Sequence, residues 1–311
     1  MPALHNTTVR QIGLSIVYDC RIFIILNSTP KGLSNFEPDL QNTRKMKTTE
    51  KNSLYTDLEK MSPLEILTNM NTEDQKVAIA VKEAVPAIES LVRGIVERGG
   101  RIFYIGAGTS GRLGVVDASE IPPTYGVYGK FIGLIAGGDK AFRNAIEGAE
   151  DNSTLGAEDL MTYNPTPKDT LIGISTSGTA PYVIGAIRKA REVGMLTGCI
   201  VCNEDSALGA ECDIPVVTVV GPEFVTGSTR MKSGTATKLV LNMISTSVMI
   251  LTGHVHGNKM VDMQLTNKKL VDRGTRMVME KAGIEDYEKA KALLLEHGKV
   301  REAVLAYKAS L

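Results

Sequence analysis

The chain has no tryptophan, only four cysteines and four histidines, and no net charge, with 35 Lys plus Arg against 35 Asp plus Glu over 311 residues. Each shortage excludes something. Balanced charge leaves no global field to gather nucleic acid or an anionic membrane surface, so any anion this protein handles is held locally. Cys20, Cys199, Cys202 and Cys212 are too few for a disulfide framework, and their apolar surroundings fit thiols in a reducing cytoplasm. Cys199 and Cys202 spell C-x-x-C, but residues 196–202 read as a strand, on which positions three apart face opposite sides, so two buried structural thiols are expected. His5, His254, His256 and His297 form no grouping with cysteines or acids at metal-ligand spacing, and no metal is expected. Membrane residence is not needed either. Residues 12–26 are apolar but broken by Asp19, Cys20 and Arg21, and no small-residue cleavage site follows. Residues 1–45 do not resemble the rest, and Met46 looks like a usual start. They are expected to be an upstream translation or a floppy extension. No internal repeat or low-complexity tract is evident.

What is present starts with residues 99–120, GGRIFYIGAGTSGRLGVVDASE. A short apolar run with β-branched and aromatic members follows a Gly-Gly break, and apolar spacing suited to a helix resumes at Leu113. Between them lie Gly106, Gly108 and Gly111, whose backbone amides, with those of the helix start, suit an anion. The spacing is formally G-x-G-x-x-G, the dinucleotide fingerprint. Against a dinucleotide, the next strand candidate, 131–136, ends in Gly137 and Gly138, without the acid that holds ribose hydroxyls. Thr109 and Ser110 would crowd a pyrophosphate but suit a phosphate monoester. Simple turn glycines ahead of a helix remain the alternative.

From Ser62 the helix signals become orderly. Ser62-Pro63-Leu64-Glu65 and Thr72-Glu73-Asp74-Gln75 both have capping-box spacing, which predicts a helix after each, and a further helix runs from about Ala87 to Arg98. Strands are predicted at 101–105, 131–136, 169–175, 196–202 and 214–220 with helical or loop sequence between them. That alternation implies the α/β class, a five-stranded parallel sheet covered on both faces as a three-layer αβα sandwich. A long apolar helix then ends near Gly253 and is expected in the core. Three short helices separated by Gly283 and Gly298 make a small C-terminal helical appendage.

A second hydroxyl-rich loop, Ser175, Thr176, Ser177, Gly178 and Thr179, stands at the carboxyl end of the third strand candidate and just before a helix. In open α/β sheets ligands bind beyond those strand ends, so two such loops on neighbouring strands would converge on one anion. Plain helix capping is the competing explanation. Asp117 and Glu120, and Glu147 and Glu150, are carboxylates three apart, each pair expected on one helix face. Glu120 precedes Ile121-Pro122-Pro123, which puts an acid at the unfavourable end of a helix dipole. His254 and His256 could assist sugar-ring opening, against the simpler reading as surface histidines.

GAGTSGRLGVVDASEIPPTYGV, IEGAED and VTGSTRMKSGTATKLVLNM make the chain similar, from about Ser53 to its end, to the N-acetylmuramic acid 6-phosphate etherase family, a bacterial branch of the sugar isomerase (SIS) domain proteins. Glucokinase regulatory proteins resemble the first and third motifs too. The resemblance implies N-terminal helices over 46–100, a SIS domain over 101–258 that binds a sugar 6-phosphate, and a helical subdomain over 259–311. It also implies a cytoplasmic homodimer with no metal, nucleotide or other cofactor. The expected reaction removes D-lactate from carbon 3 of the sugar, in cell-wall recycling. By motif position the two essential carboxylates are Glu120, of DASE, and Glu150, of EGAE. The phosphate loops map to Gly108, Thr109 and Ser110, and to Ser175, Thr176, Ser177 and Thr179. One departure stands out: the family's final Thr of S-x-S-G-x-T is Ala180 here. Ser228, Arg230 and Lys232, on residues 225–235, are expected in the same cleft. A sugar-phosphate-sensing regulator and an aldose-ketose isomerase are the competing functions, and both would share the loops.

Overall fold

The computed structural model describes residues 47–310, so the expectation for residues 1–45 lies outside the described residues. The first long element is α1 (Pro63–Glu83). Ser62 caps it reciprocally: its hydroxyl accepts from Glu65 N, while the Glu65 carboxylate accepts from Ser62 N. The second predicted start is overturned. Thr72 lies inside α1 and its hydroxyl donates to Thr68 O at 2.9 Å, because the face bearing Glu73, Val77 and Val81 is buried and burial carries the helix through. After one intervening residue, α2 (Val85–Arg98) ends on Gly99 in the left-handed region, φ 70°.

In chain order there follow β1 (Ile102–Gly106), α3 (Gly108–Ser119), α4 (Ile121–Tyr125), β2 (Phe131–Ile135), α5 (Asp139–Arg143), α6 (Leu155–Met161), β3 (Thr170–Ile174), α7 (Pro181–Val193), β4 (Leu196–Val201), α8 (Ala207–Glu211), β5 (Ile214–Val217) and α9 (Lys232–Leu251). The five strands form one parallel sheet in the order β2-β1-β3-β4-β5. Its two faces are read directly from the period-2 alternation. Ile102, Tyr104, Ile172 and Ile200 enter one core with α1, α2 and α9, whereas Phe103, Ile105, Leu171 and Cys199 enter the other with α7. Each fully buried aliphatic side chain here contributes about 1.5–3 kcal/mol. Cys199 and Cys202 fall on opposite sides as the strand period requires. The first is in the α7 core, and the Cys202 thiol lies 4.0 Å from Ser233 O on α9; both are free.

α9 is long and apolar enough, by length and composition, to cross a membrane, yet half of it is buried inside the fold, where Val240, Leu241, Ile244 and Val248 are wholly enclosed. Beyond it come a hairpin of β6 (Val255–His256) and β7 (Lys259–Met260), then α10 (Lys268–Ala282), α11 (Tyr287–His297) and α12 (Val300–Ala309), which share a separate small core around Met277, Val278, Leu294 and Val300.

One topological fact positions the site. The chain leaves β1 for β2 on one side of the sheet and leaves β3 for β4 on the other, so connections diverge between the carboxyl ends of β1 and β3. There Gly106 stands directly opposite Ile174, and the crevice between diverging connections is where open α/β sheets bind ligands.

Candidate active site

Gly106 closes β1 and α3 opens at Gly108, so the first loop is almost entirely the helix start itself. The outer glycines serve close approach. A Cβ on Gly111 would lie 2.6 Å from Gly106 O, and one on Gly106 would lie 2.7 Å from Gly111 N, so any side chain at either would push helix and strand apart. Gly108 supplies the left-handed turn, φ 52°. The first amide to find a helical acceptor is Gly111 N, bonded to Ala107 O at 3.2 Å. Those of Gly108, Thr109 and Ser110 precede it and form the positive end of α3.

Beside them the second loop folds on its own hydroxyls. Gly178, at φ 69°, donates its N–H to Ser175 O and Ser175 Oγ, and Ser177 Oγ lies 2.9 Å from Thr179 Oγ1. Buried Asn203 holds this loop from behind. Its Nδ2 donates to Ser177 O at 3.2 Å and to Thr49 Oγ1 at 2.8 Å, while its Oδ1 accepts from Thr49 N at 3.1 Å. Neither residue gives a sequence signal, since each is a single polar side chain far from any motif.

Both loops face one cavity of about 260 Å³. Gly108, Thr109, Ser110, Ser175, Thr176 and Ser177 line it together with Glu150. Thr179 is not in the wall but supports Ser177, and Ala180 occupies the wall where the family's Thr would stand. A larger cavity, about 580 Å³, lies against β2, but its wall carries Asp139 and Asp159 and neither hydroxyl loop, so it is the wrong electrostatic environment for a phosphate.

Glu147 and Glu150 do not share a helix. α5 ends at Arg143, and Glu150 sits in a turn with Gly148 at φ 72°, which a continuing helix would not allow. Asp117 and Glu120 also separate in role. Asp117 is buried, receiving Lys238 Nζ at 2.8 Å and Tyr104 OH at 3.3 Å; burial, with the Asp117 charge beside it, raises the Tyr104 phenol well above its ordinary range. Glu120 caps the carboxyl end of α3, is exposed, and does not line the cavity.

Of the third motif, Thr229 and Gly234 reach the cavity wall, and Ser228, Arg230 and Lys232 do not. Arg230 is exposed and Ser228 half-buried. The expectation for Lys232 is corrected for a physical reason: its side chain is 2% exposed and its ammonium meets Glu73 Oε2 at 2.7 Å. Burial alone would raise the Glu73 carboxyl, but hydrogen bonds from Lys232 and Lys76 outweigh it and hold it below the ordinary value. Glu223 completes this region, accepting from Lys232 N, Ser233 N and Ser233 Oγ at 2.8–2.9 Å and so capping α9 in place of Met231. His254 lies 3.2 Å from Asp262, and His256 lies 2.8 Å from Lys281; neither lines the cavity.

Comparison with known proteins fits this geometry. A SIS domain family model matches residues 154–247, and the glucokinase regulatory protein N-terminal SIS domain model matches residues 83–191. The chain is thus a SIS-domain protein. It is 64% identical over 268 residues to an N-acetylmuramic acid 6-phosphate etherase of Bacteroides fragilis, spanning 85% of this chain and 95% of that one. Its counterpart in Bacteroides thetaiotaomicron is 60% identical over 267 residues, spanning 85% and 96%. The chain belongs to the N-acetylmuramic acid 6-phosphate etherase family. A solved phosphoheptose isomerase from Francisella tularensis matches more loosely, with TM-score 0.45 and 19% identity over 60% of this chain and 100% of that one.

Proposed function

We propose that the protein cleaves the D-lactyl ether of N-acetylmuramic acid 6-phosphate, giving N-acetylglucosamine 6-phosphate and D-lactate, as a cytoplasmic homodimer in cell-wall recycling. The observation that carries this reading is the placing of Glu150 in the same cavity wall as Ser110, Ser175 and Ser177, a carboxylate beside a hydroxyl and amide cradle. The 6-phosphate accepts hydrogen bonds from those hydroxyls and from the first amides of α3.

In the open-chain sugar the aldehyde acidifies the proton on carbon 2. Glu150, ionised, takes that proton; the electron pair forms the carbon 2–carbon 3 double bond, and the lactyl oxygen leaves carbon 3 with a proton from Glu120. Water then adds at carbon 3 and a proton returns to carbon 2. One water is consumed overall and no electrons are gained or lost.

The match to a regulatory protein's SIS domain over residues 83–191 favours a second reading, a sugar-phosphate sensor without turnover. Incubating the protein with N-acetylmuramic acid 6-phosphate and measuring D-lactate decides between them. Release supports the etherase, and binding without release supports the sensor.

A further inference from the structure

Two walls of the cavity come from loops far apart in the chain. Ser175, Thr176 and Ser177 stand in one, Thr229 and Gly234 in the other. The stretch just before α1 holds both. A short 3₁₀ turn, Thr48–Glu50, seats Thr49 against Asn203, and both side chains are buried. The Asn203 amide is fully used there. Its Oδ1 accepts from Thr49 N, while Nδ2 donates to Thr49 Oγ1 and to the carbonyls of Thr176 and Ser177, at 2.8–3.4 Å.

Further on, Ser53 grips the second loop. Its hydroxyl donates to Phe224 O at 2.7 Å, its N–H donates to Thr226 Oγ1 at 2.8 Å, and the Tyr55 and Phe224 rings lie 5.1 Å apart. From Phe224 the turn closes through Ser228 N, which donates to Val225 O, and reaches Thr229, whose carbonyl accepts from Gly234 N at 3.0 Å. Thr49, Ser53 and Tyr55 do not line the cavity themselves. Nor does the stretch serve mainly to bury apolar surface: Leu54 is 67% exposed, and the polar groups are turned inward onto the backbone of the two loops. Hydrogen bonds to a loop's carbonyls fix where its backbone lies, and with it the direction of Ser177 Oγ and the place of Thr229.

We propose that residues 48–55 are a strap that sets the spacing of the two walls, and that Thr49, Asn203 and Ser53 are positioning residues for the sugar phosphate. This rests on the reading of the cavity as the phosphate site. Glu150 is tied instead to α7 through Tyr182 N, so loosening the strap weakens the grip on the phosphate and leaves the base in place. The effect therefore belongs in KM rather than in kcat.

Thr49→Val tests it, since it removes the hydroxyl and keeps the branched shape, while Thr49→Ser keeps the hydroxyl. Calorimetric titration with N-acetylglucosamine 6-phosphate reads affinity without turnover, and lactate release gives KM and kcat. Thr49→Val should weaken binding and raise KM by roughly tenfold, the worth of one buried hydrogen bond, with kcat within about twofold of native. Thr49→Ser should restore both. In the double variant Thr49→Val with Ser177→Ala the two losses of affinity should be less than additive, because both act on one loop. A Thr49 that serves the fold alone would lower the unfolding midpoint, leave KM unchanged and give additive losses, and that result overturns the proposal. Ser53→Ala probes the other end of the strap at a half-buried residue whose loss the fold tolerates; it should raise KM in the same way. If the native chain releases lactate and both Thr49→Val and Ser53→Ala bind the sugar phosphate as it does, the strap fails while the etherase stands. If the native chain binds no sugar phosphate, the reading of the cavity falls and takes the strap with it.

Discussion

Tyr182 N donates to Glu150 O at 3.0 Å, which pins the turn bearing the proposed base to the first residues of α7. The second hydroxyl loop leads into the same helix, so the phosphate cradle and the base share one support. This relationship makes their separate contributions measurable.

Glu120→Gln and Glu150→Gln should each slow lactate release by on the order of a hundredfold to ten-thousandfold, the usual worth of a positioned acid or base. Isotope exchange distinguishes them. In heavy water, Glu120→Gln should still exchange deuterium into carbon 2 of unreacted substrate, because its base remains, and Glu150→Gln should not. The opposite pattern by NMR would swap the roles.

Ser110→Ala, Ser175→Ala and Ser177→Ala should each weaken binding of the sugar phosphate by about 1–3 kcal/mol, the range for hydrogen bonds to a charged group. Calorimetric titration measures this, with unfolding curves showing that the fold survives. Unchanged affinity in all three would remove the phosphate from this cavity.

Lys232→Met should destabilise the protein by about 3–5 kcal/mol, since it leaves Glu73 buried without its enclosed partner. Lys76 also reaches Glu73, from a half-exposed position, and moderates the loss. The double variant Glu73→Gln with Lys232→Met should recover much of it, because no buried charge is left alone. Urea unfolding of the two variants side by side is the check, and equal losses would refute a buried pair.

Asp169 gives a pH signature. Burial alone would raise its carboxyl, but Arg101 and the Thr166 and Arg101 backbone amides hold it below the ordinary value. A carboxyl lowered on folding stabilises the native state above its unfolded pKa of about 3.9, and that contribution is lost as pH falls through the lower folded value. Asp169→Asn should therefore be less stable than the native chain at pH 7, with the gap shrinking below about pH 4. Denaturant curves at pH 7 and pH 3 would expose the opposite trend if the assignment is wrong.

Local chemistry alone was enough to read five parallel strands, the Ser62 and Gly99 helix boundaries and both hydroxyl loops from the residues. Alternating β-branched runs, a reciprocal cap and glycines before helix starts act over a few residues and need no partner. Tertiary packing decided the rest. Thr72 has the spacing of a helix start but lies on a helix whose buried face runs through it. Lys232 resembles a substrate cation until Glu73, 159 positions away, takes its charge. Asn203 and Thr49 join across 154 positions, and no local pattern announces the join. The distance from Ser110 to Glu120 was always implicit in a helix of known rise. Only the tertiary structure placed the cavity at that helix start, where strand order reverses between β1 and β3, with Glu150 in its wall and Glu120 outside it.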